Sequence, residues 1–214
     1  MSSMVVPKNG SKLLGRPLGE KFILASASPR RQELLRRLIL EFEVIPSDIN
    51  EACLDDETPA KYVSRIAGEK ARAVIGNAAV PERAHCWVLA ADTSVILDEV
   101  ILGKPEDAEQ ARWMLTQLQG RQHEVLTGIC LLNPARAIDM VETIRTEVWM
   151  KALSPVEVES YIGTGEPFDK AGGYAIQGLA GRFIEKIDGS YTNVIGLPIE
   201  RLTEMFQEFG IVTN

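Results

Sequence analysis

An apolar stretch with a carboxylate at its centre is the feature that most constrains the fold of this chain. Residues 87–97 read WVLAADTSVIL, and a run so rich in branched aliphatic residues predicts a buried β-strand. A half-solvated strand would alternate, and a fully buried one would be entirely apolar, so Asp92 fits neither pattern. Because burying an unpaired carboxylate is costly, we expect Asp92 to be paired, to bind a metal or to act as a catalytic base. The ordinary alternative is an Asp that caps a turn at a strand end.

The elements around this strand predict an α/β or mixed α+β fold built on a mixed sheet. Further strands are predicted at 21–25, 42–46, 100–105, 122–132 and 138–150 and near 174–178 and 182–188. Helices are predicted from Pro29, from Pro59 to about residue 75, over about 107–119, from Ser154 and from Pro198. We see no internal repeat, so 21–214 is expected to be a single domain. Residues 1–20 are interpreted as an N-terminal extension that we expect to be poorly ordered.

Charge and cysteine usage narrow the class of protein. The chain has 23 Lys and Arg against 30 Asp and Glu, a formal net charge of −7. Proteins that coat nucleic acid carry a basic excess, so nucleic acid is not an expected partner. Three widely separated cysteines without a Cys-x-x-Cys pair favour a reducing, cytoplasmic compartment. No apolar run approaches the ~18 residues of a membrane span, so no membrane association is expected.

Several cations lie at unusual positions. Lys70 shares a helix face with apolar residues, and it either points into a cleft or extends along the surface to water. Arg30 and Arg31 occupy a first helical turn, where with Ser26 and free backbone N–H groups they would form an anion site. The alternative is that both arginines are simply solvated. Lys104, between a glycine and a proline, presents a further ammonium from a rigid turn.

A glycine-rich segment at 163–173 adds more polar candidates. Asp169 and Lys170 lie within it, and Gln177 follows as an amide that either reads a base edge or bonds to neighbouring backbone. No phosphate-binding P-loop or dinucleotide-binding glycine motif is present. His123 has no catalytic partner at a suggestive spacing, so we predict a structural role for it.

Taken together, these segments form an ordered series of motifs. They are LASASPRRQELL at 24–35, AADT at 90–93, LGKP at 102–105, HEVLTG at 123–128, GEPFDKAG at 165–172, YAIQG at 174–178 and NVIGLP at 193–198. The series resembles the Maf family of nucleoside triphosphate pyrophosphatases over roughly residues 22–210. The resemblance implies an elongated mixed sheet flanked by helices, with two lobes around a central cleft, as in Maf and ITPase-like folds.

The resemblance also implies a cytoplasmic, homodimeric enzyme that cleaves a nucleoside triphosphate between its α- and β-phosphates, releasing a monophosphate and pyrophosphate. Asp92 would be the proton acceptor, and Asp92 and Glu51 would hold a divalent metal, Mg²⁺ or Mn²⁺. Lys70 and Lys104 would join Asp92 as catalytic residues by contacting the phosphates. The remaining candidates would bind the substrate or set its specificity, namely Ser26, Arg30, Arg31, Thr93, Asp169, Lys170 and Gln177. The acidic loop often reads Ile-Asp-Glu in the family, whereas this chain has Asn50 before Glu51, one acidic group fewer.

The positions that separate substrate classes in the family favour dTTP and UTP here. This chain has Arg30, Thr93 and Gln177, whereas the branch acting on 7-methyl-GTP typically has Trp, Gln and Glu. A neutral Gln amide both donates and accepts hydrogen bonds, which matches the edge of uracil or thymine. Modified pyrimidine nucleotides remain equally compatible substrates.

Three other functions are carried as alternatives. The first is a non-catalytic nucleotide-binding regulator of cell division, as the septum-formation name of the family suggests. The second is a 7-methyl-GTP-type pyrophosphatase. The third is a nucleic-acid binder that uses the arginines of the first helix, which the acidic total and the aromatic content of 6% disfavour.

Overall fold

The computed structural model of the protein describes residues 20–39, 41–77, 80 and 82–211. Apart from Glu20, the predicted N-terminal extension lies outside the described residues. None of the helices in the described part of the chain has the length and apolar character needed to cross a membrane.

Within the described residues, the fold is built on a seven-stranded mixed sheet. The strands are β1 Phe22–Leu24, β2 Glu43–Val44, β3 Trp87–Leu97, β4 Val100–Leu102, β5 Gln122–Asn133, β6 Ile138–Met150 and β7 Ile184–Asp188. Their order is β2-β1-β3-β5-β6-β7, with β4 also paired to β3. β1 is parallel to both of its neighbours, and every other pair is antiparallel.

Helices flank this sheet, and their starts follow from local sequence. They are α1 Pro29–Leu35, α2 Pro59–Gly76, α3 Ala108–Leu118, α4 Pro155–Ile162, α5 Tyr191–Ile195 and α6 Ile199–Glu208. α1, α2 and α4 each begin with proline after a Ser or Thr side chain that accepts a backbone N–H of the first turn. Proline already has the φ angle of a helix, and the hydroxyl satisfies an otherwise unpaired donor. The predicted α/β class and mixed sheet are confirmed.

One predicted strand is wrong and one helix was not predicted. Residues 174–178 form no strand; they run between short 3₁₀ turns at Ala171–Gly173 and Leu179–Phe183. The cause lies in Gly172 and Gly173, whose φ angles of 67° and 71° turn the chain out of an extended path. The five-residue helix α5 was missed because so short a helix carries no periodic pattern.

The pairing of β3 leaves a gap at its centre. β5 pairs with residues 88–96 along one edge of β3. On the other edge, β1 pairs with residues 87–89 and β4 with 95–97. Residues 90–94 therefore have no strand partner on that edge among the described residues. Asp92 lies in the middle of this gap.

The apolar core is divided on either side of the gap. One cluster joins β1, α1 and α6 and includes Phe22, Leu35 and Phe206. Another joins α3, α4 and the far half of β3 and includes Leu115 and Tyr161. Of the four buried clusters among the described residues, these two use opposite halves of β3, and they correspond to the two lobes that the resemblance implies. The long strands β3 and β5 contribute residues to both, so they form a continuous floor beneath the cleft.

Candidate active site

A cavity of about 610 Å³ opens at the gap in β3. Every site residue predicted from the sequence lines it, namely Ser26, Arg30, Arg31, Glu51, Lys70, Asp92, Thr93, Lys104, Asp169, Lys170 and Gln177. The fold thus gathers candidates from distant segments into one place. Their individual chemical roles remain predictions.

A buried ion pair lies at the floor of this cavity. Lys70 Nζ is 2.9 Å from Asp92 Oδ1, and the two residues are only 8% and 7% exposed. Lys70 Nζ also lies 3.0 Å from Glu51 Oε1, whose side chain is half exposed. Lys70 therefore points into the cleft from the buried face of α2. The carboxylate that interrupts the apolar strand is paired rather than capping a turn.

The loop that carries Glu51 is held against α2 by two side chains that no sequence motif marked. Tyr62 donates its hydroxyl to the Glu51 carbonyl at 2.9 Å. Arg65 donates to the Ala52 carbonyl at 2.9 Å and to both Glu57 carboxylate oxygens at 2.7 Å. Burial, helped by the charge of Asp92, raises the pKa of Tyr62 to about 12, so its phenol remains a donor at neutral pH. These contacts fix the backbone from which the Glu51 carboxylate projects.

Arg31 connects three parts of the cavity wall. Its Nε donates to the Gly196 carbonyl at 2.9 Å, and its terminal nitrogens donate to Ser26 Oγ at 3.2 Å and Thr93 Oγ1 at 3.1 Å. Burial lowers the pKa of Arg31, an effect that the negative charge of Asp92 opposes. In this arrangement the Arg31 guanidinium holds the Ser26 and Thr93 hydroxyls together in the wall of the cavity.

A buried polar chain continues from Thr93 behind the cavity. Thr93 Oγ1 lies 2.9 Å from Thr127 Oγ1, which donates to the Asn193 carbonyl at 3.1 Å. The Asn193 amide donates in turn to the Val125 carbonyl and to Thr146 Oγ1. Thr127 and Asn193 lie within the HEVLTG and NVIGLP motifs, but the sequence analysis assigns neither of them a role. A threonine inside the apolar run of β5 is nevertheless a signal of the same kind as Asp92.

Charged and polar side chains surround the mouth of the cavity. The Asp169 carboxylate lies between Lys170, with which it forms an ion pair, and Arg30, 3.9 Å away. The ammonium of Lys170 lowers the pKa of Asp169. Lys104 and Gln177 are exposed on the rim. An anionic ligand would here replace one exposed carboxylate as the partner of two cations.

The donor set at the floor fits a divalent cation that is shared with a ligand. Oxygens of Glu51 and Asp92 converge on the single positive charge of Lys70. Among the described residues no three His, Cys, Asp or Glu side chains gather into a full metal cage. Mg²⁺ commonly takes one or two carboxylates and completes its shell with water and substrate phosphates. Asn50 accepts a hydrogen bond from the Ala52 N–H at 3.0 Å, so it organises the loop's turn.

The fold and this site define a class of protein, and comparison with known families agrees. The family described as Maf-like protein matches residues 21–209. The chain therefore belongs to the Maf-like protein family.

Relatives with assigned names are similar along almost their whole length. A dTTP/UTP pyrophosphatase of Anaeromyxobacter dehalogenans (strain 2CP-C) is 46% identical over 195 residues, which cover 90% of this chain and 96% of that protein. A dTTP/UTP pyrophosphatase of Caldicellulosiruptor bescii is 44% identical over 191 residues, covering 89% and 96%. One from Chromobacterium violaceum is 46% identical over 193 residues, covering 89% and 95%.

Proposed function

We propose that this protein is a nucleoside triphosphate pyrophosphatase that hydrolyses dTTP and UTP to the monophosphate and pyrophosphate. The observation that carries the proposal is the buried Lys70–Asp92 pair, which opens into a cavity rimmed with cations. The names of the relatives that match most of the chain support the same activity.

The charge distribution suits a triphosphate. The chain as a whole is acidic, with a formal net charge of −7, yet Arg30, Lys70, Lys104 and Lys170 converge on one cavity. A bound triphosphate carries nearly four negative charges, which repel an incoming nucleophile unless fixed cations offset them. We assign the lysines and Arg30 to that task, with the hydroxyl of Ser26 as an additional donor.

Asp92 acts as the proton acceptor in the mechanism that we derive. Its carboxylate takes a proton from water, and the water oxygen bonds to the α-phosphorus. The bond from that phosphorus to the oxygen bridging the α- and β-phosphates then breaks. The electron pair of that bond leaves with pyrophosphate, whose charge Lys104 and Lys170 stabilise. Lys70 holds the Asp92 carboxylate in place at the gap in β3.

Glu51 and Asp92 are the residues that would hold Mg²⁺ or Mn²⁺. When bound, such a metal supplies charge neutralisation at the phosphates and lowers the pKa of a coordinated water. Tyr62 and Arg65 fix the loop backbone on which the Glu51 carboxylate depends.

Base recognition is assigned to the rim. Gln177 would read the oxygen and N–H edge of the pyrimidine with its amide, which can both accept and donate. Arg30 and Thr93 complete the predicted specificity set. A methyl group at position 5 changes only the shape of the base, so modified pyrimidine nucleotides belong to the same proposal.

A panel of nucleotides tests the proposal. Purified protein is incubated with Mg²⁺ and dTTP, UTP, CTP, GTP or 7-methyl-GTP, and pyrophosphate is measured. Turnover of dTTP and UTP above the others is expected; preference for 7-methyl-GTP would move the protein to the other branch. Nucleotide binding without release of pyrophosphate would support the non-catalytic regulator of cell division.

Assembly and partners belong to the proposal as well. A homodimer in the cytoplasm, without a nucleic-acid partner, remains the prediction. Light scattering after size exclusion tests the dimer, and filter binding at low salt tests nucleic acid.

A further inference from the structure

The segment that carries Gln177 is closed at its base by a carboxylate with no role in the mechanism above. Glu166 begins the segment, and its Oε2 accepts the Leu179 N–H at 3.0 Å. Its Oε1 accepts the Tyr161 hydroxyl of α4 at 2.9 Å and lies 3.5 Å from the Ala180 nitrogen. The Glu166 side chain therefore joins the two ends of the segment 166–180.

The closure of this loop by Glu166 affects the candidate active site, because the loop contains three of the residues that line the cavity. Asp169, Lys170 and Gln177 all lie between the two tied ends and line the cavity. Residues 174–178 belong to no strand, so sheet pairing does not set their position. Gln177 is only two residues from Leu179, whose N–H the Glu166 carboxylate binds.

Gly178 shows how closely the carboxylate is packed against the turn. A Cβ atom built at Gly178 would lie 2.3 Å from Glu166 Oε1 and 2.5 Å from its Cδ. Gly178 has φ −102° and ψ −154°, an extended conformation that alanine also adopts. The glycine is thus needed for the approach of the carboxylate rather than for an unusual backbone angle.

We propose that Glu166 is a positioning residue for pyrimidine recognition: its carboxylate closes the 166–180 loop and so sets where Gln177 meets the base. The inference rests on the proposed function, because it assigns Gln177 to the base. Glu166 itself is not among the residues that line the cavity. The Tyr161 hydroxyl orients the carboxylate from outside the loop.

Two independent substitutions test the tie. In Glu166→Gln the amide retains one acceptor oxygen but turns an N–H₂ group toward backbone donors. In Gly178→Ala the new methyl displaces the carboxylate and leaves Glu166 chemically intact. Both variants are expected to raise KM for dTTP on the order of tenfold with a smaller change in kcat, since ground-state contacts to the base are lost. Matched controls are Glu185→Gln on β7 and Gly76→Ala, where an added Cβ meets nothing within 4 Å.

A double-substitution cycle separates positioning from general damage. In a Gln177→Ala background, Glu166→Gln is expected to cause little further loss in kcat/KM for dTTP, because the group that it positions is already gone. An equal loss in both backgrounds would overturn the positioning role. So would wild-type kinetics in both Glu166→Gln and Gly178→Ala.

Hydrogen exchange tests the closure of the loop by Glu166 without any measurement of activity. At least one of the Leu179 and Ala180 amides is expected to exchange on the order of tenfold faster in Glu166→Gln than in wild type or Glu185→Gln, since the Gln side chain keeps only one of the two acceptor oxygens. Unchanged exchange overturns the tie whether or not the protein is active. If wild-type protein releases no pyrophosphate from dTTP or UTP, the proposed function fails, and the exchange measurement still decides whether Glu166 closes the loop.

Discussion

Lys70 Nζ lies 2.9 Å from Asp92 Oδ1, and each side chain is about nine-tenths buried. α2 brings the lysine across the sheet to the point where β3 has neither β1 nor β4 beside it. Removing one member of a buried pair leaves an uncompensated charge, so this contact couples the stability of the cleft to its chemistry.

Replacement of Asp92 by Asn is expected to lower kcat for dTTP by about 10³-fold or more, because an amide cannot accept the proton from water. The variant is nearly isosteric, so its circular dichroism spectrum should match wild type. Asp98→Asn, in an exposed pair with Arg121, is the matched control and should retain activity. Near-normal turnover in Asp92→Asn would contradict the assignment of the proton acceptor.

Chelation of divalent metal is expected to abolish pyrophosphate release, and added Mg²⁺ or Mn²⁺ to restore it. Glu51→Gln should raise the metal concentration for half-maximal activity on the order of tenfold or more, because one anionic ligand is lost. Calorimetric titration of Mn²⁺ in the presence of a non-hydrolysable dTTP analogue measures the same shift independently of turnover. The Glu185→Gln variant serves as control; identical metal dependence in Glu51→Gln would exclude Glu51 as a ligand.

Gly128→Ala is expected to destabilise the protein by about 3 kcal/mol or more, since the new methyl overpacks a rigid contact. An added Cβ would lie 2.1 Å from the Val63 carbonyl oxygen, which belongs to the backbone of α2. Urea denaturation measures the loss, and Gly76→Ala, at an open position, should change stability little. A stable Gly128→Ala protein would show that α2 can move away from β5.

Because of His123, the free energy of unfolding is expected to fall in mild acid. His123 Nε2 lies 2.6 Å from the Tyr174 hydroxyl, and burial lowers the pKa of His123 to about 4. The imidazole of the unfolded chain binds a proton near pH 6.5, whereas that of the folded chain does so only near pH 4. The free energy of unfolding that depends on a neutral His123 is therefore fully present above pH 6.5 and is lost progressively as the pH falls to about 4. The free energy of unfolding should be about 2 kcal/mol lower at pH 5 than at pH 7.5.

His123→Phe is expected to remove most of that difference, which urea denaturation at the two pH values measures. The exposed His85, changed to Gln, provides the control. If the difference persists undiminished in His123→Phe, other groups cause it, and His123 is not the buried neutral imidazole described here.

Much of the fold was predictable because its determinants are local. The continuous apolar run of β3 and the proline and hydroxyl starts of α1, α2 and α4 depend on near neighbours in the chain. Residues 174–178 were mistaken for a strand because Tyr174 and Ile176 alternate with smaller residues. Their apolar side chains pack as loop residues instead, after Gly172 and Gly173 turn the chain.

For the site, the sequence by itself determined which residues are anomalous in their setting: Asp92 in an apolar strand, Lys70 on an apolar helix face and cations at a helix start. Only the tertiary structure decided how they are paired. The Lys70–Asp92 contact, the three hydrogen bonds of the Arg31 side chain and the Glu166 closure depend on parts of the chain that only the fold brings together. Such contacts depend on strand register and helix packing, and these are set by burial summed over the whole core rather than by any local pattern.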